Sequence, residues 1–442
     1  MGTTKIRRFR ADFFGSIGVV AAMVIHVASR SGRIWRLRRK YKGRVGDPSS
    51  PRVLMVGDNM DGTHGISVSA ERLVRQLREV GVQAWVLGVS HTGNPPGARD
   101  TEGWVRMLSP RCVQDMFGYE GKELSLPDMD ELLDFLETNT VDLVEIETPA
   151  FLGVVSLLLA RWIRVPIVQN YRTDLLAYTR LLLDNDVFIS LLRWWICGFL
   201  RFGSADVIVP SQDFVEQVHK MGVARHKIRF LVRGVDLTRF SPTRRDPSIW
   251  SHWSDLQGPV ISYLGRVSRE KGLETLAEAF ELVLARRPDA VLCVIGDGPW
   301  KDAFQERMAP NGRAIFTGEL GGDLLPAALA SSDVFAFPST TDTFGNAVLE
   351  ALACGVATVV TDQGGPKEIV EADRSGLVVP GEDAKALSEA ILRLLDDPSL
   401  RARLAEGGQL RSQRFSPSVS RDEHLEFYRK VHRTALEASP KG

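Results

Sequence analysis

Short apolar runs alternate with amphipathic stretches along most of the 442-residue chain. In the first half the runs at 52–57, 84–89, 141–147, 166–171 and 206–211 read as strands. In the second half those at 260–265, 290–296, 314–318, 334–339, 357–362 and 376–380 do. They are apolar on both faces, as strands buried between two layers of helix must be. The stretch from Gly272 has the complementary helical spacing. Leu273, Leu276, Phe280, Val283 and Leu284 share one face, Glu274, Glu278 and Arg286 fall elsewhere, and Pro288 ends it. This alternation predicts parallel α/β domains.

The pattern breaks at 241–258, around Pro242, Pro247, Trp250 and Trp253, where an interdomain connection is expected. After about residue 415 only one more helical stretch is expected. The organisation is therefore an extension (1–50), a first Rossmann-like domain (51–245), a second (256–415) and a C-terminal helix (416–442) packing back towards the first domain. An apolar fraction of 44% and a charged fraction of 25% give each domain enough material for a core.

The net charge of zero conceals an asymmetry. Residues 1–44 hold twelve Lys or Arg and a single acid, Asp12, so the rest of the chain is acidic by the same margin. The uncharged run 13–29 is preceded by Arg7, Arg8 and Arg10 and followed by Arg30, Arg33, Arg36, Arg38, Arg39 and Lys40. As a helix it would be about 25 Å long, short of the roughly 30 Å hydrocarbon core. It fits an anchor lying on an anionic cytoplasmic leaflet, a short spanning helix, or a helix packed on the protein itself. The run 187–202, with Arg193 and Arg201 interspersed, fits either a lipid-facing surface or a buried helix. Cys112, Cys197, Cys293 and Cys354 form no paired motif and are expected as reduced core residues of a cytosolic protein.

Four segments carry candidate chemistry. G-D-N-M-D-G-T-H-G (57–65) follows the first strand and precedes a helix expected near Ser67. Gly62 and Gly65 let the backbone approach a ligand there, and the helix start offers N–H groups to an anion, although an ordinary turn reads the same. It does not match G-x-G-x-x-G, which counts against a dinucleotide oxidoreductase. Y-L-G-R-V-S-R-E-K-G (263–272) places Arg266 at a strand end and Lys271 at a helix start. Two such cations suit a diphosphate, or are solvated surface residues. P-S-T-T-D-T-F-G-N-A-V-L-E-A-L-A-C-G-V-A (338–357) sets Asp342 in a loop and Glu350 on the next helix, where carboxylates can accept bonds from sugar hydroxyls. D-Q-G-G-P-K-E (362–368) adds another glycine-rich turn.

Together, G-R-x-x-x-E-K-G, G-D-G-P, F-T-G, P-S-x-x-D-T-F-G-N-x-x-L-E-A-L-A-x-G and G-G-P-x-E resemble the retaining glycosyltransferases of family 4, over roughly residues 52–430. N-Y-R-T-D (170–174), A-D-V-I-V-P-S (205–211) and R-G-V-D-L-T-R-F-S-P (233–242) are similar to the subgroup of mannosyltransferases and sulfoquinovosyldiacylglycerol synthases. The resemblance implies the GT-B fold, two facing Rossmann-like domains with parallel sheets and a donor site in the cleft between them. It implies that Arg266 and Lys271 hold the donor diphosphate and that Asp342 contacts the hexose. Glu350 would bind the ribose, Phe316, Thr317 and Gly318 would meet the base, and Phe344 and Gly345 would line the sugar site. Gly62 and Gly65 would approach the phosphates. No metal and no cofactor is implied, the UDP- or GDP-sugar being a co-substrate.

Three positions depart from the family pattern. Asp342 stands where Glu is usual, Ala357 where Pro is usual, and Arg172 where the motif has His near C6 of the donor sugar. An arginine there could pair with an anionic C6 group, as in a uronic acid or sulfosugar. The expected enzyme is a cytoplasmic hexosyltransferase on the inner face of the cell membrane, with a lipid or lipid-linked saccharide acceptor and no nucleic-acid partner. The rival readings are an epimerase or glycan phosphorylase of the same fold and a catalytically silent membrane-bound scaffold.

Overall fold

The computed structural model describes residues 27–42, 46–58, 60, 65–90, 97–98, 102–115, 123–182, 185–203, 206–231 and 234–438. These fall into two units. One holds everything described up to Val209, together with 215–231 and 421–438; the other holds 210–214 and 234–420.

The first unit is built on an eight-stranded sheet. Its strands are β1 (Val53–Val56), β2 (Ala84–Val89), β3 (Gly97–Ala98), β4 (Val105–Leu108), β7 (Leu143–Ile146), β8 (Ile167–Asn170), β9 (Asp206–Val209) and β10 (Ile228–Phe230). They lie in the order β10-β9-β8-β7-β1-β2-β4-β3, parallel throughout except for β3 against β4. Two more strands, β5 (Pro110–Asp115) and β6 (Glu123–Pro127), form a separate antiparallel ribbon. The helices are α1 (Ser31–Tyr41), α2 (Gly65–Glu79), α3 (Met129–Thr138), α4 (Phe151–Ile163), α5 (Leu175–Leu182), α6 (Asp186–Gly203) and α7 (Gln212–Lys220), the start of α7 belonging to the second unit. β1 and β7 are buried along their whole length, as strands covered on both faces require.

Helix α1 shows where part of the basic tail goes. Ile34, Leu37 and Tyr41 are buried, and the Tyr41 hydroxyl donates to the Leu136 carbonyl at 3.2 Å. On the anchor reading Arg30 and Arg33 would face headgroups. Instead Arg30 pairs with Asp130 at 2.5 Å and Arg33 with Asp134 at 2.5 Å, because the acidic face of α3 lies alongside. The run 13–26 lies outside the described residues.

The second unit has a wholly parallel six-stranded sheet. Its strands are β11 (Val260–Leu264), β12 (Val291–Ile295), β13 (Ala314–Gly318), β14 (Val334–Phe337), β15 (Ala357–Thr361) and β16 (Leu377–Val379). They lie in the order β13-β12-β11-β14-β15-β16. Helices α8 (Leu273–Arg286), α9 (Lys301–Met308), α10 (Leu324–Ala330), α11 (Asn346–Ala353), α12 (Pro366–Ile369), α13 (Ala384–Asp396) and α14 (Pro398–Gln413) surround it. Carboxylates start two of them. Asp383 accepts from the Ala386 amide at 2.8 Å, and Asp397 from the Leu400 amide at 2.9 Å. The segment 241–258 packs within this unit, with Ile249 and Trp250 buried and the Ser331 hydroxyl accepting from the Asp246 amide at 2.8 Å. The last helix, α15 (Pro417–Glu437), joins the first unit from Arg421 onward.

All four cysteines are free thiols. Cys293 and Cys354 are core residues as expected, and burial pushes both thiols up. Cys197 is half-buried, and Cys112 is exposed, as are its neighbours Arg111 and Val113 on the two-stranded ribbon, so neither of these two cysteines is a core residue.

Candidate functional site

In the second sheet the strand order reverses between β11 and β14. The crevice at the carboxyl ends of strands beside such a reversal is where open α/β sheets take ligands. Arg266 follows β11 and is exposed, and Lys271 stands at the end of the helical turn Arg269–Lys271. Asp342 follows β14. Lys271 Nζ donates to Asp342 Oδ2 at 2.7 Å, so the reversal brings two of the sequence-predicted residues together across 71 positions of chain.

Glycines set this spacing. Gly272 has φ +71°, and a Cβ there would come 2.5 Å from the Pro338 carbonyl oxygen. The E-K-G turn therefore rests directly on the P-S turn that begins the Asp342 loop. Behind that loop a Cβ at Gly364 would come 2.7 Å from the Asp342 carbonyl oxygen. The Gly365 amide donates to that same oxygen at 2.8 Å. Glycine alone permits such close approach of one backbone to another. The Thr341 hydroxyl donates to the Glu270 carbonyl at 3.0 Å and ties the two loops a second time.

The remaining predicted residues of this unit fall around the same strand ends. Gly345 precedes α11, whose buried side carries Val348, Leu349 and Leu352 while Glu350 is half-buried. Phe344 is buried against Phe415, with ring centroids 6.0 Å apart. Phe316 closes edge-on upon Phe304 at 5.7 Å, and Thr317 and Gly318 end β13 with the Gly318 carbonyl accepting from the Gly296 amide at 2.9 Å. Asp297 of G-D-G-P bonds Lys301 Nζ at 2.6 Å, and that pairing holds its carboxyl below the usual range.

The second sheet and the fold around it have close counterparts among solved structures. Sucrose-phosphate synthase from Thermosynechococcus elongatus matches with a TM-score of 0.70 at 19% identity, over 87% of this chain and all (100%) of that one. The Anabaena HepE protein, solved with UDP and glucose, matches with a TM-score of 0.66 at 20% identity, over 85% and 99%. The fold is GT-B. Residues 63–239 match the model described as Glycosyltransferase Family 4, and residues 245–411 the model described as Glycosyl transferases group 1. A GDP-mannose-dependent alpha-mannosyltransferase of Mycolicibacterium smegmatis is 32% identical over 78% of this chain and 88% of that protein.

The chain is a family 4 glycosyltransferase. The sulfoquinovosyl transferase SQD2 of Arabidopsis thaliana is also similar, 28% identical over 78% of this chain and 66% of its own length.

The first sheet of this glycosyltransferase has its own reversal, between β1 and β7. Gly62 lies outside the described residues, and Gly65 opens α2 two residues before the expected start. Sequence reasoning passed over Asp58, just past β1. Its carboxylate accepts from the Leu152 amide and from the Thr148 hydroxyl, each at 2.8 Å, at the start of α4. Burial pushes its pKa up to about 6 despite those bonds.

A second overlooked group surrounds Arg172. The Arg172 guanidinium donates through Nε to Asn170 Oδ1 at 3.1 Å. Asn170 Nδ2 in turn donates to Glu147 at 3.0 Å and to Glu145, and Glu145 also accepts from the Tyr428 hydroxyl of α15. Glu145, Glu147 and Asn170 are all buried. Glu145 lies in β7 and Glu147 directly follows it, and Asn170 Nδ2 bridges the two. A carboxylate inside an apolar strand was the signal available in V-D-L-V-E-I-E.

Proposed function

We propose that this glycosyltransferase moves a hexose from a UDP- or GDP-sugar to a lipid or lipid-linked saccharide, with retention of configuration, at an anionic membrane surface. The observation that carries the reading is the Lys271–Asp342 pair at the reversal of the second sheet, beside Arg266. An ammonium has three donors, so Lys271 can keep Asp342 in place and still offer protons to a diphosphate. Arg266 adds a guanidinium suited to phosphate oxygens. Two fixed cations stabilise charge as it develops on the leaving nucleotide and make a metal unnecessary for that task. Asp342 keeps its other oxygen for a hexose hydroxyl, and Glu350 receives the ribose.

The relatives' names support the donor class. One is named for GDP-mannose and another for a sulfoquinovosyl group, which carries an anion on C6. Arg172 is the residue that would recognise such a group. Retention fits attack on the face from which the nucleotide leaves, the departing phosphate taking the acceptor's proton.

The test is donor turnover. Purified protein is incubated with GDP-mannose, UDP-glucose, UDP-glucuronate and related sugars, with and without a bacterial lipid extract, while nucleotide release is followed. Release from one donor that rises with lipid is the expected result. Turnover indifferent to any acceptor would favour an epimerase or phosphorylase, and failure to bind any donor would leave a silent scaffold.

A further inference from the structure

Large apolar side chains that remain exposed are not scattered evenly. Of the fourteen among the described residues, eight lie on α1, α4 and α6: Trp35, Leu158, Trp162, Val187, Leu191, Trp194, Trp195 and Phe202. Every exposed tryptophan is in this group, Trp194 being 74% exposed and Trp162 51%. On α6 the exposed positions 187, 191, 194 and 202 follow helical spacing, so they share a stripe. Ile189, Ile196, Phe199 and Leu200 form the opposite, buried stripe. A helix apolar on both sides is ordinarily surrounded, yet the side bearing Val187, Leu191 and Trp194 is left largely exposed.

The three helices are stitched together by arginine–aromatic contacts. Arg38 of α1 lies over Trp162 of α4 at 5.3 Å, and Arg161 of α4 over Phe202 of α6 at 5.0 Å. Arg39 lies over Trp35 at 3.7 Å. The helices carry five Lys or Arg on α1, one on α4 and two on α6, against the single acid Asp186. Six of these, Arg36, Arg39, Lys40, Arg161, Arg193 and Arg201, are exposed. No helix among the described residues is long and apolar enough to cross a membrane. Indole rings beside guanidinium groups suit the boundary between headgroups and acyl chains, where the ring is apolar in body and the cation meets phosphate. A guanidinium flat against an indole still presents its N–H edge to an anion.

We propose that the α1–α4–α6 face is the surface by which this enzyme seats on an anionic lipid bilayer. Trp162, Trp194 and Leu191 enter the interface, while Arg36, Arg39 and Arg193 meet lipid phosphates. The cations give the charge complementarity, and the exposed indoles give the depth. This rests on the membrane-surface part of the proposed function and names the face that would meet the lipid, whichever donor or acceptor is used.

The test is cosedimentation of the full chain with phosphatidylglycerol-containing vesicles and with phosphatidylcholine vesicles. It compares wild type with Trp162→Ser/Trp194→Ser and with Arg39→Gln/Arg193→Gln. Loss of two exposed indoles is expected to weaken binding about tenfold or more. The arginine variant is expected to lose the preference for anionic vesicles and its salt dependence. Donor turnover without vesicles should match wild type in both, with thermal unfolding lowered only slightly by the lost Arg38–Trp162 and Arg39–Trp35 contacts, so a failure here is separable from a failure of the transfer reading. If the tryptophan variant binds vesicles like wild type, the seat lies elsewhere, the amino-terminal run included. If wild type ignores vesicles but forms a dimer that the tryptophan variant loses, the face belongs to a second copy of the chain. Either result overturns the proposal.

Discussion

Lys271 and Asp342 form an ion pair at 2.7 Å, each side chain about a fifth exposed (21%), at the point where the second sheet reverses its strand order. An isolated pair at that exposure adds little to stability, so its value lies in holding an ammonium at the strand ends. Replacing Lys271 by Ala is expected to lower kcat/KM for the donor by about 100- to 1,000-fold, roughly 3–4 kcal/mol of transition-state stabilisation. Lys271→Arg should recover part of this, because the charge returns on a broader group. Steady-state nucleotide release measures both. A Lys271→Ala enzyme within threefold of wild type would remove this lysine from the site of developing charge.

Asp58 supplies a pH dependence of stability. Its pKa is pushed up to about 6 in the folded protein by burial. A carboxyl raised above its unfolded value favours folding when protonated. The contribution is complete below about pH 4 and is lost as pH rises through 6. Asp58→Asn should therefore gain stability relative to wild type across that window, by up to about 3 kcal/mol if the amide keeps the Leu152 and Thr148 contacts. Denaturant melts of both proteins between pH 4 and pH 7.5 give the difference. A flat difference would mean that the carboxyl does not titrate in this range.

Much of this architecture was legible because parallel strands buried on both faces leave continuous apolar runs. The runs 84–89 and 314–318 coincide with β2 and β13, and 260–265 overruns β11 by a single residue. Strands β4 and β10 and the β5–β6 ribbon escaped notice because their sequences mix charged residues with apolar ones, and β3 because it is only two residues, Gly97–Ala98. The glycines of E-K-G and G-G-P were visible, but not that they press on the Pro338 and Asp342 carbonyls. That needs the β11–β14 adjacency, a long-range fact of topology. Glu145 and Asp58 were missed for a related reason. A buried carboxylate is tolerable only with donors brought from elsewhere, here Tyr428 and the start of α4, and no local pattern announces them.

The Tyr428–Glu145 bond joins the C-terminal helix to the centre of the first sheet, 283 residues away in sequence. Tyr428 is fully buried, so removing its hydroxyl leaves Glu145 with a buried oxygen short of one donor. Tyr428→Phe is expected to cost about 1–3 kcal/mol, which in a unit of this size lowers Tm by several degrees. Glu145→Gln in the same background should recover part of the loss, since the neutral amide needs less solvation. A double-mutant cycle by thermal unfolding reads the coupling, and additive effects would show that the two groups act independently.

Arg172 is held by an amide that cannot turn over. Asn170 Nδ2 is committed to both Glu145 and Glu147, so a flipped amide would set its oxygen against two buried carboxylates. Asn170 Oδ1 is thereby fixed as the acceptor for Arg172 Nε. A guanidinium anchored through Nε still carries the two terminal nitrogens of the planar fork that pairs with a carboxylate or sulfonate. If Arg172 reads an anionic C6 group, Arg172→His should reduce the kcat/KM ratio of glucuronate to glucose donors by about tenfold or more. Arg172→Lys should restore the ratio only in part, because a point charge cannot bind in bidentate fashion. Competition between UDP-glucuronate and UDP-glucose measures the ratio directly. An unchanged ratio in Arg172→His, with donor turnover intact, would reassign Arg172 to the phosphates or to the fold.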